Sequence, residues 1–431
     1  MTYALHVPAI ARKKAATDGA EPARTRPTMQ EKSVSVIDMQ RLLDTVSGVL
    51  DRQTVETEIG RILMPGPTYL GIWARDTAIS TLGLNRLGKT ELAGELLQRF
   101  WGYQITAQSD PSTFVFRNKT HAGWTDSDGF RPSKEQLDGE IGAFPTCVYI
   151  QTPDFRAGTR EIYTTRADLD GVAWLVIALH DHWVRSGDDK LMHQFAAGTA
   201  SAITYLRSRD EDGDHLLEQG PNQDWADILL RQGKVAYSQG VWLGCLAAAA
   251  EIFEATGDRA RADFCRREWD EVRAAANRIL MTRYGYYANF VASDRVSFRR
   301  ALDTALLVAF GACDEEPARQ VLEILGTLGG PFGHAVIEPG FAQEAIGPSK
   351  YPPGHYQNEG VWPWITSFLA VAWARIGDFD RAREVISSVF RDQPATIHEW
   401  VDNLTGEAHH PDFATAAGAL AWAIAEAGCA S

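Results

Sequence analysis

Residues 169–207 read LDGVAWLVIALHDHWVRSGDDKLMHQFAAGTASAITYLR. An apolar segment runs to Arg185-Ser186, is cut by Gly187-Asp188, and an amphipathic segment begins at once. Gly takes the left-handed conformation that closes a helix, and Asp accepts N–H bonds at the start of the next one. A link this short leaves two helices antiparallel and adjacent, so the stretch reads as an αα-hairpin.

The same cut recurs at Arg86-Leu87-Gly88-Lys89, Ala255-Thr256-Gly257-Asp258 and Arg375-Ile376-Gly377-Asp378, with a looser version at Gly311-Ala312-Cys313-Asp314. The expected hairpins are 76–87 with 90–104, 169–186 with 189–207, 236–256 with 259–280, 300–311 with 315–326, and 360–376 with 379–391. Segments 37–53 and 412–427 complete a sixth pair that closes the ring across the termini. The expected fold is all-α: an (α/α)6 barrel over residues 34–431 as a single domain, after a flexible tail at 1–33. Strand-like alternation is confined to Phe114–Phe116 and Tyr286–Phe290. The long connections 105–165, 208–235, 281–299, 327–358 and 392–411 all fall opposite the short turns. Long loops of this kind usually carry function, so the pocket is expected on their face.

Composition narrows the ligand. Among 431 residues, 56 Asp and Glu outweigh 42 Lys and Arg, giving a net charge of −14. That argues against a nucleic-acid or anionic membrane surface and fits a neutral ligand. No apolar run reaches the roughly 18 residues of a membrane span, and the N-terminus has no apolar signal core. The cytoplasm is the expected location. The five cysteines (Cys147, Cys245, Cys265, Cys313, Cys429) are scattered without a CxxC, and read as free thiols. Several of the 13 Trp stand beside charged residues, an arrangement suited to sugar rings with apolar faces and polar rims.

Five constellations lie on the long-loop side. Tyr69 and Trp73 offer stacking faces ahead of Arg75-Asp76, which can grip hydroxyls. Asp168 and Asp170 flank a helix start, where one caps and the other is spare. Asp224-Trp225-Ala226-Asp227 sets two carboxyls around an indole, whose dry surroundings raise a carboxyl pKa toward that of an acid catalyst. Tyr356, Asn358 and Trp362 precede Pro363 at a helix mouth. Glu399 sits between His398 and Trp400.

Glycoside hydrolysis without a nucleophile needs one carboxyl to protonate the leaving oxygen and another to activate water. Asp227 (or Asp224) and Glu399 lie in different connections, as a pair facing across a pocket requires. No GxSxG, P-loop or HExxH occurs, and His180 and His182 point to different sides of a helix. No metal or cofactor is expected.

The order Y-x-x-x-W-x-R-D, D-L-D-G-V-x-W, D-W-A-D, Y-x-N-E-G-V-W-P-W and H-E-W-x-D-x-x-T-G resembles the (α/α)6 glycosidases from about residue 60 to 425. Nearest are glycoside hydrolase family 63 (the short mannosylglycerate- and glucosylglycerate-hydrolase type), the glucosidase part of glycogen debranching enzymes, and family 100 invertases. Family 15 glucoamylases are more distant. The resemblance implies Asp227 as general acid and Glu399 as general base. It places Tyr69, Trp73, Arg75, Asp76, Asp170, Tyr356, Asn358 and Trp362 on the sugar, with Trp225 beside them. In relatives whose acid opens a D-N-S-P string, the matching residue is Asp224. Arg75 stands where short family 63 members often carry Trp, and is more like invertases and glucoamylases. The long debranching relatives carry an N-terminal β-domain that this chain lacks, which makes a small α-glycoside the expected substrate. The other readings are sucrose hydrolysis, an epimerase or lyase using His334, His355, His398, His409 or His410, and a sugar-binding protein without turnover.

Overall fold

Each glycine cut closes a helix. Gly88, Gly187, Gly257, Gly311 and Gly377 have φ between +72° and +83°, and a sixth, Gly428 at +70°, ends the last helix. The carboxylates of Asp188, Asp258 and Asp378 accept from the N–H groups of Leu191, Arg261 and Arg381, starting the following helices. The expected turn chemistry therefore operates at these three hairpins.

The structure is a computed structural model describing residues 38–117, 129–342, 351–389 and 395–429. The tail expected at 1–33 lies outside them. Among the described residues the helices are α1 (Met39–Gln53), α2 (Ala74–Arg86), α3 (Thr90–Trp101), α4 (Lys134–Asp138), α5 (Leu169–Ser186), α6 (Asp189–Arg207) and α7 (Ala236–Ala255). They continue with α8 (Arg259–Ile279), α9 (Ala305–Ala309), α10 (Glu315–Gly326), α11 (Pro363–Arg375), α12 (Phe379–Val389) and α13 (Ala414–Glu426).

Helices α2, α5, α7, α9, α11 and α13 pack each against the next, and α13 returns to α2. Their partners α3, α6, α8, α10 and α12 lie outside, and α1 covers α13 as the sixth outer helix. Burial explains the sorting. Helix α7 buries nearly its whole surface, whereas α8 buries only Ala262, Cys265, Glu268, Val272, Ala275 and Ala276, a stripe at helical spacing. A helix apolar all round must be enclosed, so it becomes an inner stave. Ring closure needs close backbone approach: a Cβ on Gly83 would fall 2.5 Å from Gly418 Cα. Aromatic rings fill the barrel, with Trp174 stacked on Phe368 at 5.5 Å and edge-on to Trp422 at 6.1 Å. No described helix is long and apolar enough to cross a membrane.

Some expectations need correction. The segment 300–311 is not one helix but strand Arg300–Ala301, a 3-10 turn Leu302–Thr304 and then α9. Thr304 Oγ1 donates to Ala301 O at 2.7 Å, a local bond that competes with helix start. Phe114–Phe116 is a strand, but of Tyr286–Phe290 only Phe290 joins one, because Thr282 bonds Tyr286 O in a turn. Short buried strands were also missed. Gly71–Trp73, Cys147–Tyr149, Arg160–Ile162 and Phe114–Phe116 form one sheet in that order. His398–Val401 pairs with Ala408–Pro411.

Each of α2, α5, α7, α9 and α11 has its short turn at its C-terminal end, so its N-terminus opens toward the long loops. Five positive helix ends thus face the same side, where carboxylates are favoured.

Candidate active site

Glu399 lies on the strand His398–Val401, which exchanges backbone hydrogen bonds with Val361 at 2.8 and 2.9 Å. This docks the strand beside α11. Glu399 is 3% exposed, and the Tyr69 hydroxyl donates to its Oε1 at 2.7 Å. Tyr69 stands edge-on to Trp73, with ring centroids 5.2 Å apart. Burial pushes the Glu399 carboxyl up to about 8; the Tyr69 bond pulls against it, and the charges of Asp76 and Asp227 push the same way as burial. Both Asp76 and Asp227 are therefore close enough to act on Glu399. Tyr351 and Tyr356 feel both Glu399 and Asp227. Tyr356 stacks on Tyr351 at 4.5 Å and stands edge-on to Trp362 and Trp400 at 4.9 and 5.6 Å.

The two aspartates of the D-W-A-D string have different fates. Asp224 is 3% exposed and accepts from Ala226 N at 2.8 Å, Gln219 Nε2 at 2.7 Å and Arg231, whose Nε and Nη2 each reach it at 2.8 Å. Arg231 also donates to Asp303 Oδ2 at 2.7 Å, the same oxygen that accepts from Trp225 Nε1 at 2.7 Å. Both oxygens of Asp224 are thus committed to donors inside the buried network. Asp227 is half-buried, and its Oδ1 accepts from Gln357 Nε2 at 3.0 Å.

The floor is built from inner-helix starts. Arg75, in the first turn of α2, donates to Asp170 Oδ2 at 2.8 Å, and Tyr237 of α7 donates to the same oxygen at 3.0 Å. Asp76 Oδ1 accepts from Thr415 of α13 at 2.6 Å, and burial raises its pKa while Arg75 opposes. Trp73 Nε1 donates to Tyr163 at 2.7 Å. Trp225 and Trp362 meet edge to face at 5.5 Å, both 3% exposed.

Most of the expected residues thus share one region, linked through Glu399, Asp227 and the α2–α5 floor. Asn358 does not present its amide to that space. It is fully buried, with Oδ1 accepting from Phe341 N at 2.7 Å and Nδ2 donating to Phe341 O at 3.0 Å and Tyr351 O at 3.2 Å. It clamps the loop. Gln357, Tyr163, Tyr237, Asp303, Arg231 and Thr415 were not singled out from sequence. Gln357 sat inside a quoted motif, whereas the others stand at inner-helix starts or in loops without any local mark.

Among the described residues His398, His409 and His410 share the hairpin that carries Glu399, whereas His334 and His355 turn to Ser388 and Asp402. His355 Nδ1 is bonded to Asp402, His334 Nδ1 lies 3.2 Å from Ser388 Oγ, and His409 stacks on Trp400 at 4.0 Å. His410 approaches Glu399 Oε2 at 3.9 Å. His180 and His182 turn to Glu251 and Asn85 respectively, as helical spacing requires.

No protein-family model and no curated protein matches the sequence. Solved structures do match in three dimensions. A GH63 mannosylglycerate hydrolase from Thermus thermophilus, in complex with Tris and D-glycerate, aligns with a TM-score of 0.66 at 13% identity, covering 88% of this chain and 99% of that one. A wild-type glycosidase aligns at 0.63 and 15% identity, over 91% and 99%. A rhamnosidase from Klebsiella oxytoca with rhamnose bound aligns at 0.61 and 16% identity, covering 92% of this chain. The present chain spans 65% of that rhamnosidase's length. Likeness at such low identity speaks to architecture. The chain has the six-hairpin, glycosidase-like (α/α)6-barrel fold.

Proposed function

We propose that the protein is a glycoside hydrolase that cleaves a small α-linked glycoside, in the first instance an α-glucoside, with inversion. The observation that carries this reading is the buried Glu399 carboxyl, hydrogen-bonded to Tyr69 and within the electrostatic reach of Asp227. Asp227 protonates the glycosidic oxygen as the C1–O bond breaks. Glu399 removes a proton from water as its oxygen bonds to C1 on the opposite face. Space for that water calls for carboxyls about 6.5–9.5 Å apart.

The productive state holds one proton between the two carboxyls, on Asp227 and not on Glu399. Burial favours the proton on Glu399, whereas the Tyr69 donor favours the anion there. The charge of Asp227 pushes the Glu399 carboxyl up, so the state of one carboxyl bears on the other. Arg75, Asp76 and Asp170 hold sugar hydroxyls, and Trp73, Trp225 and Trp362 wall the sugar site. Small substrate size is supported by the similar mannosylglycerate hydrolase, whose name gives it a small glycoside.

A panel of aryl α-glycosides (glucoside, mannoside, rhamnoside) and small α-linked disaccharides tests the reading. Hydrolysis of α-glucosides is expected. Turnover confined to sucrose would favour an invertase-like enzyme, and sugar binding without any turnover would remove the enzyme reading.

A further inference from the structure

Two loops meet at Asp227, and one side chain ties them together. Gln357 is 2% exposed. Its Nε2 donates to Trp225 O at 2.7 Å and to Asp227 Oδ1 at 3.0 Å, while its Oε1 accepts from Ile228 N at 3.0 Å. Two donors and one acceptor are thus used from a single planar group. Only a primary amide supplies that set: a carboxylate has no donor, and Met or Leu has none to offer. Asn carries the same amide on a side chain one methylene shorter.

Both sides of this suture are held. The next residue, Asn358, spends its amide on the backbone of Phe341 and Tyr351, and Gly354 N donates to Asn358 O at 2.9 Å. Tyr356, just before, has φ +48°, a left-handed conformation that a tyrosine keeps only where its surroundings impose it. Behind Trp225 stands the buried Asp224–Arg231–Asp303 network. Gln357 therefore joins two fixed bodies at the carboxyl of Asp227.

We propose that Gln357 is a positioning residue of the Asp227 carboxyl, holding Oδ1 as an acceptor, so that a proton carried by that carboxyl sits on Oδ2. Its catalytic consequence rests on the reading of Asp227 as general acid; its structural part does not. The donated N–H also lowers the proton affinity of the carboxyl, so the proton carried on Oδ2 passes more readily to the leaving oxygen.

The test uses the full chain with 13Cγ-labelled aspartate, the Asp227 resonance being assigned by its loss in Asp227→Asn. In Gln357→Met, Asp227 should titrate about one pH unit higher than in the wild type, the size of one lost hydrogen bond. The near-isosteric Gln357→Glu brings a second carboxylate and should shift it further, with melting curves confirming that each variant is folded. An unchanged Asp227 titration in a folded variant would overturn the proposal. Catalysis gives the second readout. Gln357→Met should lose more kcat on phenyl α-D-glucoside than on 2,4-dinitrophenyl α-D-glucoside, because acid assistance matters most for the poorer leaving group. Equal losses on both would also overturn it, by marking Gln357 as a general scaffold residue. If Asp227→Asn itself shows equal losses, the acid assignment fails, while the carbon titration still decides the positioning.

Discussion

The Tyr69 hydroxyl donates to Glu399 Oε1 at 2.7 Å, joining residues 330 positions apart at the start and end of the barrel. The bond spans the closure of the ring, since Tyr69 precedes α2 and Glu399 precedes α13. It also opposes the burial that pushes the Glu399 carboxyl up to about 8. Tyr69→Phe removes the donor, so the anion loses support and the Glu399 pKa rises further. A general base must be ionised, so the acidic limb of the kcat/KM profile should move up by about one pH unit. An unmoved limb would detach Tyr69 from the ionisation of Glu399.

Glu399→Gln should lower kcat by about 10²–10⁴-fold, the usual worth of a positioned base. Its effect on stability follows from the same burial. The folded value of about 8 lies above the ordinary 4.5, so the stability contributed by the protonated form is complete at low pH. It is lost progressively as pH rises from about 4.5 to 8, because only the unfolded chain ionises freely there. Glutamine carries no such loss. The variant should therefore gain on the wild type across that window, by on the order of 3–5 kcal/mol at most above pH 8. Paired denaturation curves at pH 4.5 and 8.5 check this, and an equal difference at both would contradict it.

Asp224 and Asp227 should separate cleanly. Asp224→Asn leaves the buried Arg231 short of one of its two carboxylates and should cost about 3–5 kcal/mol of stability. Asp227→Asn should leave melting nearly unchanged and lower kcat by about 10²–10⁴-fold. The reverse pattern, stable but inactive Asp224→Asn beside an active Asp227→Asn, would transfer the acid role to Asp224.

The barrel was largely legible because its turns are local. A glycine at +72° between an apolar and an amphipathic segment, as at Gly187, needs no distant partner to be recognised. Helix starts were also marked, which drew Arg75 and Asp170, while Glu399 stood out only by its His398 and Trp400 neighbours. What escaped were contacts made across the ring. Asp303 carries no signal of its own, and its role depends on Arg231 and Trp225 arriving from a different loop. The D-W-A-D string could not say which aspartate Arg231 would claim. Asn358 read as a ligand group because its motif is polar, yet the loop folds back so that Phe341 and Tyr351 consume the amide.

Ring closure offers a test of the fold itself. Gly418 faces α2 so closely that an added Cβ would sit 2.5 Å from Ser80 Cα and 2.8 Å from Ile79 O. Backbone cannot yield as a flexible side chain does, so Gly418→Ala should destabilise by about 1–3 kcal/mol. A neutral change in a urea titration would mean that α13 does not pack on α2 in this way.

Inversion by two carboxyls is the centre of the proposed mechanism. Proton NMR on the first turnovers of an aryl α-glucoside reads the anomeric proton of the sugar as it is released, before mutarotation. β-Glucose is expected first, with α-glucose appearing only later at the mutarotation rate. Immediate release of α-glucose would contradict it and require a covalent glycosyl-enzyme intermediate in place of direct attack by water.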